Sequence, residues 1–260
     1  MSRSVVDLYR YPVKGLSAER LPVLQLTRDH GLQWDREFAL ALGSTVFDSN
    51  HPEPLDKGFF LMLRNNETLA SLETHFEPAS GTLTVLRSGE PILSADILSD
   101  VGREIVEVFF ADYIGAAAKG RPKLVRAGGH KFTDASVMSP VMMKAVSVVN
   151  LASVRALEKA VGTTVDPLRF RANIYLDGLD PWQELEWAGQ EIRIGSLAFR
   201  GLERTPRCGA VNVNPRTAQR DLNLPKALMN HFGHTDLGVY VETLVDGELR
   251  LGDMLTDSIA

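Results

Sequence analysis

Short runs of apolar residues, many of them alternating with polar ones, dominate the first 110 or so residues of the chain. These runs are separated by Gly, Pro and Asp, and they cover residues 4–13, 19–27, 36–42, 81–89 and 90–98. Short β-prone runs bounded by turn-forming residues predict β-strands. The N-terminal part of the sequence therefore predicts a small β-barrel-like or sandwich unit.

A different spacing follows in residues 99–115, where apolar residues recur every three or four positions. This period predicts an α-helix. Ser99 or Asp100 can cap its first turn, because their side-chain oxygens accept hydrogen bonds from free backbone N–H groups. Gly115 is a stop signal at the other end. We expect this helix to close the first unit.

The stretch after this helix, residues 116–130, is small, basic and rich in glycine. Such a composition favours a linker or a loop that crosses the surface. We therefore place a domain boundary near residue 118. It divides the chain into an N-terminal domain of residues 1–118 and a second domain of residues 119–260.

Beyond that boundary, strand-like and helix-like patterns are mixed. Residues 239–255 alternate around Asp246 and Gly247, a pair that favours a tight hairpin turn. Pro225 stands near the start of a short helix, where its missing N–H is not needed. We also predict strands at 145–150, 171–178 and 209–215, a strand, turn and strand at 191–204, and helices at 151–162 and 223–233. The predicted fold class is α+β and mostly β: an N-terminal β-barrel-like domain followed by a second barrel-like domain with peripheral helices.

The composition excludes several classes of protein. Hydrophobic residues make up 44% and charged residues 23% of the 260 residues, values typical of soluble globular proteins. The net charge of -5 comes without a long basic run, so nucleic acid is not an expected partner. No uncharged apolar stretch reaches about 18 residues, and no secretion signal precedes the first strand. We therefore expect no membrane segment and a cytoplasmic location.

Cys208 is the single cysteine of the chain. One cysteine excludes an internal disulfide framework, a cysteine-cluster zinc site and an iron–sulfur cluster held by cysteines of this chain. A lone buried cysteine is most often a small, inert hydrophobic residue. His231 and His234 have a spacing that can bind zinc, but no acidic third ligand sits in a recognised pattern, so structural or surface roles are favoured. The sequence also lacks a phosphate-binding loop, a dinucleotide fingerprint and a serine-hydrolase elbow.

Basic residues in apolar surroundings are the remaining candidates. Lys14, Arg36, Arg169 and Arg171 are each, taken alone, most simply surface charges. Arg36 and Arg171 lie among apolar neighbours, however, where an unpaired charge is costly. An anionic ligand would satisfy them, because guanidinium groups bind phosphate through paired hydrogen bonds. The pattern is consistent with a phosphorylated cofactor held between two domains.

The order of several motifs resembles that of two-domain MOSC proteins. The motifs are YPVKG, WDREFAL, FTDAS, DPLRFRANIYLDG, EIRIGSLAFRGLERTPRC and the closing LGD. The chain is similar to molybdenum-cofactor enzymes related to the mitochondrial amidoxime-reducing component and its bacterial counterparts. The resemblance covers nearly the whole chain. It implies an N-terminal MOSC β-barrel domain to about residue 118, followed by a MOSC β-barrel domain.

The resemblance also implies a set of site residues. In this family the cysteine of the RC pair ligates molybdenum, so Cys208 is the expected metal ligand and catalytic residue, with a pterin dithiolene supplying the other sulfurs. A soft thiolate suits this metal, and Arg207 would favour the deprotonated sulfur. The contacts implied for molybdopterin, including its phosphate, come from Lys14, Arg36, Asp134, Ser136, Asn150, Arg169, Arg171 and Arg207.

By the same resemblance, the protein is an oxidoreductase that uses the molybdenum cofactor to reduce small N-hydroxylated or N-oxygenated substrates. The chain has no further cysteines for a cluster and no nicotinamide fingerprint. We therefore expect a separate electron-donor protein: a flavin reductase, an iron–sulfur protein or a haem protein. Two alternatives stay open. One is a carrier of sulfur or of the cofactor that uses Cys208, and the other is an inactive binding module in which Cys208 is structural.

Overall fold

Strands contribute more residues than helices, which confirms the mostly β, α+β class. The computed structural model describes residues 3–256. Within these residues the strands are β1 (Ser4–Arg10), β2 (Glu19–Arg20), β3 (Val23–Thr27), β4 (Gly31–Leu32), β5 (Ala39–Ala41), β6 (Leu72–Glu77), β7 (Thr82–Arg87), β8 (Glu90–Asp96), β9 (Lys123–Val125), β10 (Val146–Asn150), β11 (Ile174–Asp177), β12 (Glu191–Ile194), β13 (Leu197–Pro206), β14 (Asp236–Thr243), β15 (Gly247–Arg250) and β16 (Leu255–Thr256). The α-helices of the same part of the chain are α1 (Asp100–Ile114), α2 (Pro140–Lys144), α3 (Leu151–Val161) and α4 (Leu224–Phe232).

The largest sheet has eight strands in the order β16-β12-β13-β14-β10-β11-β1-β2 and curls into a half barrel. β10 and β11 are parallel and are connected by α3, whereas the other neighbours in this sheet are antiparallel. Smaller sheets have the orders β15-β3-β4, β5-β9 and β6-β7-β8. The strand-rich architecture agrees with the short apolar runs of the sequence.

Several strand pairs join the beginning of the chain to its later part. β1 pairs with β11, β3 with β15 and β5 with β9, so each pair joins a strand before residue 118 to a strand after it. Leu24 of β3 and Leu249 of β15 are fully buried in the same apolar cluster. The sheets are therefore shared between the two parts of the sequence, and the domain boundary near residue 118 stays a prediction.

Two apolar clusters form most of the core. The first lies against the eight-stranded sheet and includes Leu8, Val148 and Ile174. The second packs α1 against the β6-β7-β8 sheet and includes Phe76 and Phe110. Burying one such side chain contributes about 1.5–3 kcal/mol. These clusters hold the loops between them in place, and those loops form the site described below.

The helix boundaries follow the capping signals in the sequence. Ser99 Oγ accepts a hydrogen bond from Gly102 N (3.0 Å), and α1 ends at Gly115 with φ 64°. α3 and α4 end at Gly162 and Gly233, both in the left-handed conformation. The predicted helix limits are confirmed. Every helix within residues 3–256 is too short or too polar to cross a membrane.

The hairpin predicted around Asp246 and Gly247 is wrong. β15 begins at Gly247 but pairs with β3 rather than with β14. Both edges of β14 are already occupied, one by β13 and the other by β10. β15 therefore adds to β3, where Leu249 is buried beside Leu24. The Asp246 carboxylate accepts a hydrogen bond from Arg28 N (2.8 Å) instead of closing a tight hairpin.

Two other local predictions are also corrected. Residues 209–215, predicted as a strand, begin with a 3-10 helix, Gly209–Asn212, and Val213 makes an isolated bridge. The backbone carbonyls of this segment accept hydrogen bonds from the side chain of Arg169 rather than from a neighbouring strand. The predicted linker at 116–130 contains β9, because its apolar residues are buried against β5.

Gly201 of β13 leaves no space for a side chain. A Cβ atom at this position would lie 1.8 Å from Trp187 O. Because that atom belongs to the backbone, Gly201→Ala must push β13 away from the segment it packs on. We expect the free energy of unfolding, measured by chemical denaturation, to fall by about 1–3 kcal/mol. Gly128→Ala is the matched control, since a Cβ there meets no atom within 4 Å. Equal losses in both variants would contradict the steric explanation.

Candidate functional site

A cavity of about 280 Å³ opens where the loops after β1, β9 and β13 meet the segment before β11. Its volume is near the lower end of the usual range for cofactor sites, about 300–1,000 Å³. The residues predicted from the sequence that line it are Lys14, Arg36, Asp134, Arg169, Arg171, Arg207 and Cys208. Residues far apart in the chain thus meet at one place.

Cys208 lies directly after β13, where the chain leaves the eight-stranded sheet. Its backbone occupies the N-cap position of the 3-10 helix Gly209–Asn212, and Val211 N donates to Cys208 O (3.2 Å). The side chain is half-buried and lines the cavity. Lys57 Nζ lies 4.0 Å from Cys208 Sγ. The thiol is therefore accessible from the cavity and has a cation beside it.

Arg207 places a second positive charge next to this thiol. Its guanidinium donates to Leu237 O (2.7 Å from Nε) and to Phe170 O (2.9 Å from Nη1). No carboxylate among residues 3–256 forms an ion pair with it. Burial lowers the pKa of Arg207. The hydrogen-bond partners of this guanidinium are neutral carbonyl groups. Its positive charge therefore acts on the cavity without a carboxylate bonded to it.

Lys14, Asp134 and Lys57 form a linked group on the cavity wall. Lys14 Nζ donates to Phe132 O (3.0 Å) and to Asp134 Oδ1 (2.5 Å), and Lys57 Nζ donates to Asp134 Oδ2 (3.2 Å). Burial raises the pKa of Asp134, but the attraction of both lysines outweighs it and lowers the pKa well below its usual range. Asp134 is therefore ionised, and the three side chains together carry one net positive charge.

Arg36 already has a strong partner in the protein. Its Nη1 donates to both carboxylate oxygens of Asp35 (2.8 and 2.6 Å), and its Nη2 donates to Arg171 O (2.9 Å). Asp35 is buried and also accepts hydrogen bonds from Tyr11 N and Asn173 Nδ2. Burial alone would lower the pKa of Arg36, but the attraction of Asp35 raises it. Arg36 therefore serves first to neutralise Asp35.

Arg171 differs from Arg36 because its guanidinium has no hydrogen bond or ion pair to any residue that the structure describes. Its Cζ lies 4.4 Å from the ring centroid of Tyr11, and that of Arg36 lies 4.2 Å from the same centroid. Burial lowers the pKa of Arg171 to about 10. Its backbone is left-handed, with φ 52°, at the end of the 3-10 helix Pro167–Phe170. Arg171 is thus a cation at the cavity wall without a counterion among residues 3–256.

Arg169 has strong partners within the protein, and its predicted contact with a cofactor stays a prediction. Its Nη2 donates to both carboxylate oxygens of Asp221 (2.6 and 2.8 Å), and its Nη1 donates to Asn212 O (3.0 Å). The side chain is 2% exposed. Although Arg169 lines the cavity, its guanidinium is used to hold the segment that follows Cys208. It positions the thiol rather than offering a free charge to a ligand.

Asn150 and Ser136 are not among the residues that line the cavity. The Asn150 side chain caps α3 by accepting from Ala152 N (3.0 Å) and donates to Asp180 O (2.8 Å). These contacts give Asn150 a structural role, and its predicted contact with a cofactor stays a prediction. Ser136 is buried in the loop after β9, two residues beyond Asp134. Its contact with a ligand stays a prediction.

Sequence reasoning missed several polar residues of the cavity, among them Thr205, Tyr240 and Lys57. Thr205 Oγ1 is buried without a hydrogen-bond partner among the described residues, and Tyr240 Oη also has none there. Burial raises the pKa of Tyr240. A polar residue inside a buried strand was a usable signal for both. Lys57 lies in a Pro-rich and Asp-rich stretch that gave no such signal.

The histidine pair is placed elsewhere. His234 Nδ1 accepts a hydrogen bond from Asp236 N (3.1 Å), and its ring lies 5.4 Å from the ring of Trp182. Within residues 3–256, no group of three or more His, Cys, Asp or Glu side chains is arranged to hold a metal ion. His231 and His234 are therefore not part of the candidate site.

The donor set of the cavity fits a ligand that combines a soft metal with an anionic arm. The thiol of Cys208 is a soft donor, which prefers thiophilic metals. The free guanidinium of Arg171 and the unpartnered hydroxyl of Thr205 are suited to phosphate or pterin polar atoms. Buried polar groups without partners are uncommon in native structures, so the Thr205 hydroxyl is a candidate to contact a bound group.

Comparison with known proteins finds relatives at low sequence identity. The molybdenum cofactor sulfurase of Drosophila grimshawi is 28% identical over 277 residues, which include 97% of this chain and 34% of that protein. The human molybdenum cofactor sulfurase is 26% identical over 260 residues, with 84% of this chain and 27% of that protein covered. The chain spans about a third of the length of these relatives. The solved structure of the YUAD protein from Bacillus subtilis aligns with 98% of this chain and 94% of its own at 12% identity, with a TM-score of 0.44.

Family models cover almost the whole sequence. The model described as MOSC N-terminal beta barrel domain matches residues 2–121, and the model described as MOSC domain matches residues 123–256. The two matches follow each other in the order that the motifs predict. The chain therefore belongs to the MOSC family, as a protein with an N-terminal MOSC beta barrel domain followed by a MOSC domain.

Proposed function

We propose that this protein binds the molybdenum cofactor in the cavity and uses it to reduce N-hydroxylated compounds. The observation that supports this best is that the Cys208 thiol and the unpaired Arg171 guanidinium line the same cavity. A soft donor and a free cation together match a metal bound to a phosphorylated organic ligand. The MOSC family and the names of the relatives support the link to this cofactor.

In this proposal, the residues divide the work of holding the cofactor. Cys208 supplies the protein ligand to the metal. Arg171 binds the phosphate, because its guanidinium forms no ion pair with a carboxylate in the described part of the chain. Lys14 uses two of its three N–H donors on Phe132 O and Asp134, which leaves one for the cofactor. Arg36 stays on Asp35 and contributes mainly by holding Arg171 O.

When bound, the cofactor supplies two-electron redox chemistry at the substrate N–O bond. Conversion of R–NHOH to R–NH2 consumes two electrons and two protons and releases one water. Lys57 Nζ and Tyr240 Oη are proton-bearing atoms of this chain that line the cavity. They are the candidates to hold protons for the departing oxygen, while Arg169 and Arg207 keep the backbone around Cys208 in place.

A second candidate function is a carrier of sulfur or of the cofactor. It is favoured by the relatives, whose name is molybdenum cofactor sulfurase. In a carrier, Cys208 would hold a persulfide or pass on the metal centre. An inactive binding module with a structural Cys208 is a third reading, but a half-buried thiol that faces a basic cavity speaks against it.

The deciding experiment is an analysis of protein purified from a host that makes the cofactor. We expect one equivalent of molybdenum and one of pterin per chain, measured by elemental analysis and by the fluorescence of the oxidised pterin. Substrate reduction by this loaded protein separates an enzyme from a carrier. Loaded protein that never reduces an N-hydroxylated compound, yet transfers sulfur or cofactor to an acceptor, would support the carrier.

Electron supply is expected to depend on a partner. The chain has a single cysteine and no dinucleotide fingerprint, so it has no means of its own to accept electrons from nicotinamide. Loaded protein should not reduce a hydroxylamine or an amidoxime with NADH or NADPH alone. Reduced viologen or a flavin reductase system should start the reaction. Formation of the product can be measured by chromatography. Turnover with nicotinamide and no partner would contradict this expectation.

A further inference from the structure

We infer that Lys57 and the Cys208 thiol form a subsite for a small anionic group, so that the cavity selects substrates with a negatively charged or strongly polarised oxygen beside the reacting atom. Hydroxamates and N-oxides have such an oxygen, whereas cationic hydroxylamines do not. The anion subsite stands on the geometry alone, and its link to these substrates rests on the proposed function. Lys57 is then the residue that binds the substrate oxygen.

The position of Lys57 is set by its backbone. It is the first residue of the 3-10 helix Lys57–Phe59, and the Asp56 side chain caps this turn by accepting from Gly58 N (2.8 Å). Phe59 O accepts from Leu42 N (2.9 Å), which ties the turn to the end of β5. An anchored turn holds the ammonium 4.0 Å from Cys208 Sγ. The cation beside the thiol is thus built into the fold.

The charge of Lys57 is only partly cancelled by its surroundings. Asp134 is its carboxylate partner, but Asp134 is shared with the buried ammonium of Lys14. Eight cationic side chains and two carboxylates line the cavity among the residues that the structure describes. Asp35 and Asp221 neutralise two of these cations from outside the lining. A clear excess of positive charge therefore remains around the thiol.

A second observation also points to a polar ligand in this cavity. Thr205 is 3% exposed, lines the cavity and has an Oγ1 atom without a hydrogen-bond partner among the described residues. Thr205 stands three positions before Cys208 in the chain. An orphaned buried hydroxyl costs stability unless something bonds to it. An oxygen of a ligand in the cavity is a suitable partner for this hydroxyl.

The test compares two alkylating reagents on cofactor-free protein. Iodoacetate is anionic and iodoacetamide is neutral, but the same thiolate attacks both. The ratio of the iodoacetate rate to the iodoacetamide rate therefore does not depend on the ionisation of the thiol. Cys208 is the single cysteine, and mass spectrometry therefore reports one site. In Lys57→Met we expect this ratio to fall about fivefold, the size of a unit-charge interaction near 4 Å in water.

The controls separate the charge of Lys57 from general effects. Lys57→Arg should keep most of the wild-type ratio, because it keeps the charge. Lys159→Met removes an exposed lysine on α3, which does not line the cavity, and should leave the ratio unchanged. Thermal melting of each variant checks that the fold is intact.

The inference is overturned if Lys57→Met keeps the wild-type ratio, or if Lys159→Met lowers it equally. It is also overturned if the wild-type ratio is no higher than that of a cysteine in a short neutral peptide. Because this experiment uses neither cofactor nor turnover, its failure would leave the molybdenum and pterin analysis untouched. If the protein instead contained no molybdenum or pterin, the anion subsite would still be supported by the alkylation rates. Its link to N–O reduction would then be lost.

Discussion

Cys208→Ala is expected to abolish reduction of N-hydroxylated compounds with every electron donor. The substitution removes the proposed protein ligand, which changes the charge, geometry and potential of the metal. The fold should survive, because the side chain is half-buried and the lost contact is worth about 1 kcal/mol or less. Activity with reduced viologen and thermal melting are the two measurements.

The loss of activity alone does not separate a metal ligand from a carrier cysteine. X-ray absorption does, since loaded wild type should have one more sulfur neighbour at molybdenum than loaded Cys208→Ala. Alkylation of Cys208 should also be slow in loaded protein and faster after the cofactor is removed, because a bound thiolate is a poor nucleophile. Equal sulfur counts in the two proteins, or an active alanine variant, would refute the ligand assignment.

Arg171 and Arg36 look alike in the sequence, but we expect their substitutions to have different effects. Arg171→Ala should lower cofactor affinity by roughly 10- to 100-fold, because it removes charge-assisted contacts worth about 1.5–3 kcal/mol. Stability should change little, because Arg171 has no ion pair among residues 3–256 to lose. Pterin content after purification is the measurement, and Arg171→Lys, which keeps the charge, should retain part of it.

Arg36→Ala, in contrast, should mainly lower the stability of the fold. It leaves the carboxylate of Asp35, 3% exposed, without its counterion. Breaking a buried ion pair from one side costs about 3–5 kcal/mol, so the free energy of unfolding should fall by that amount. Full pterin loading in Arg171→Ala, or an Arg36→Ala variant as stable as wild type, would contradict this division of roles.

Much of the candidate site could be predicted because family motifs and local signals carry it. Cys208, Lys14 and Asp134 come from motifs, and all three line the cavity. The ion-pair partners of the charged residues could not be predicted in the same way. Arg169 and Arg171 are two residues apart, yet one is neutralised by Asp221 and the other has no counterion in the described part of the chain. A sequence does not show which carboxylate will lie next to which guanidinium.

Lys57 is the clearest case of a residue that the sequence conceals. It stands 151 positions before Cys208, yet its Nζ lies 4.0 Å from the sulfur. Nothing in the stretch around it differs from an ordinary surface loop. Its closeness to the thiol depends on how the turn after Asp56 is tied to β5, which is a contact between elements and not a property of either one.

The sequence by itself determined the features that depend on a few neighbouring residues. It specified α1 between Ser99 and Gly115, because the cap and the stop lie within the helix's own ends. Its motifs also identified the family, and they predict Cys208 as a site residue. The tertiary structure alone decided the partner of β15, because β14 has no free edge and Leu249 is buried only beside β3. The same holds for the unpaired charge of Arg171, since ion pairing and burial depend on distances across the fold that no local pattern records.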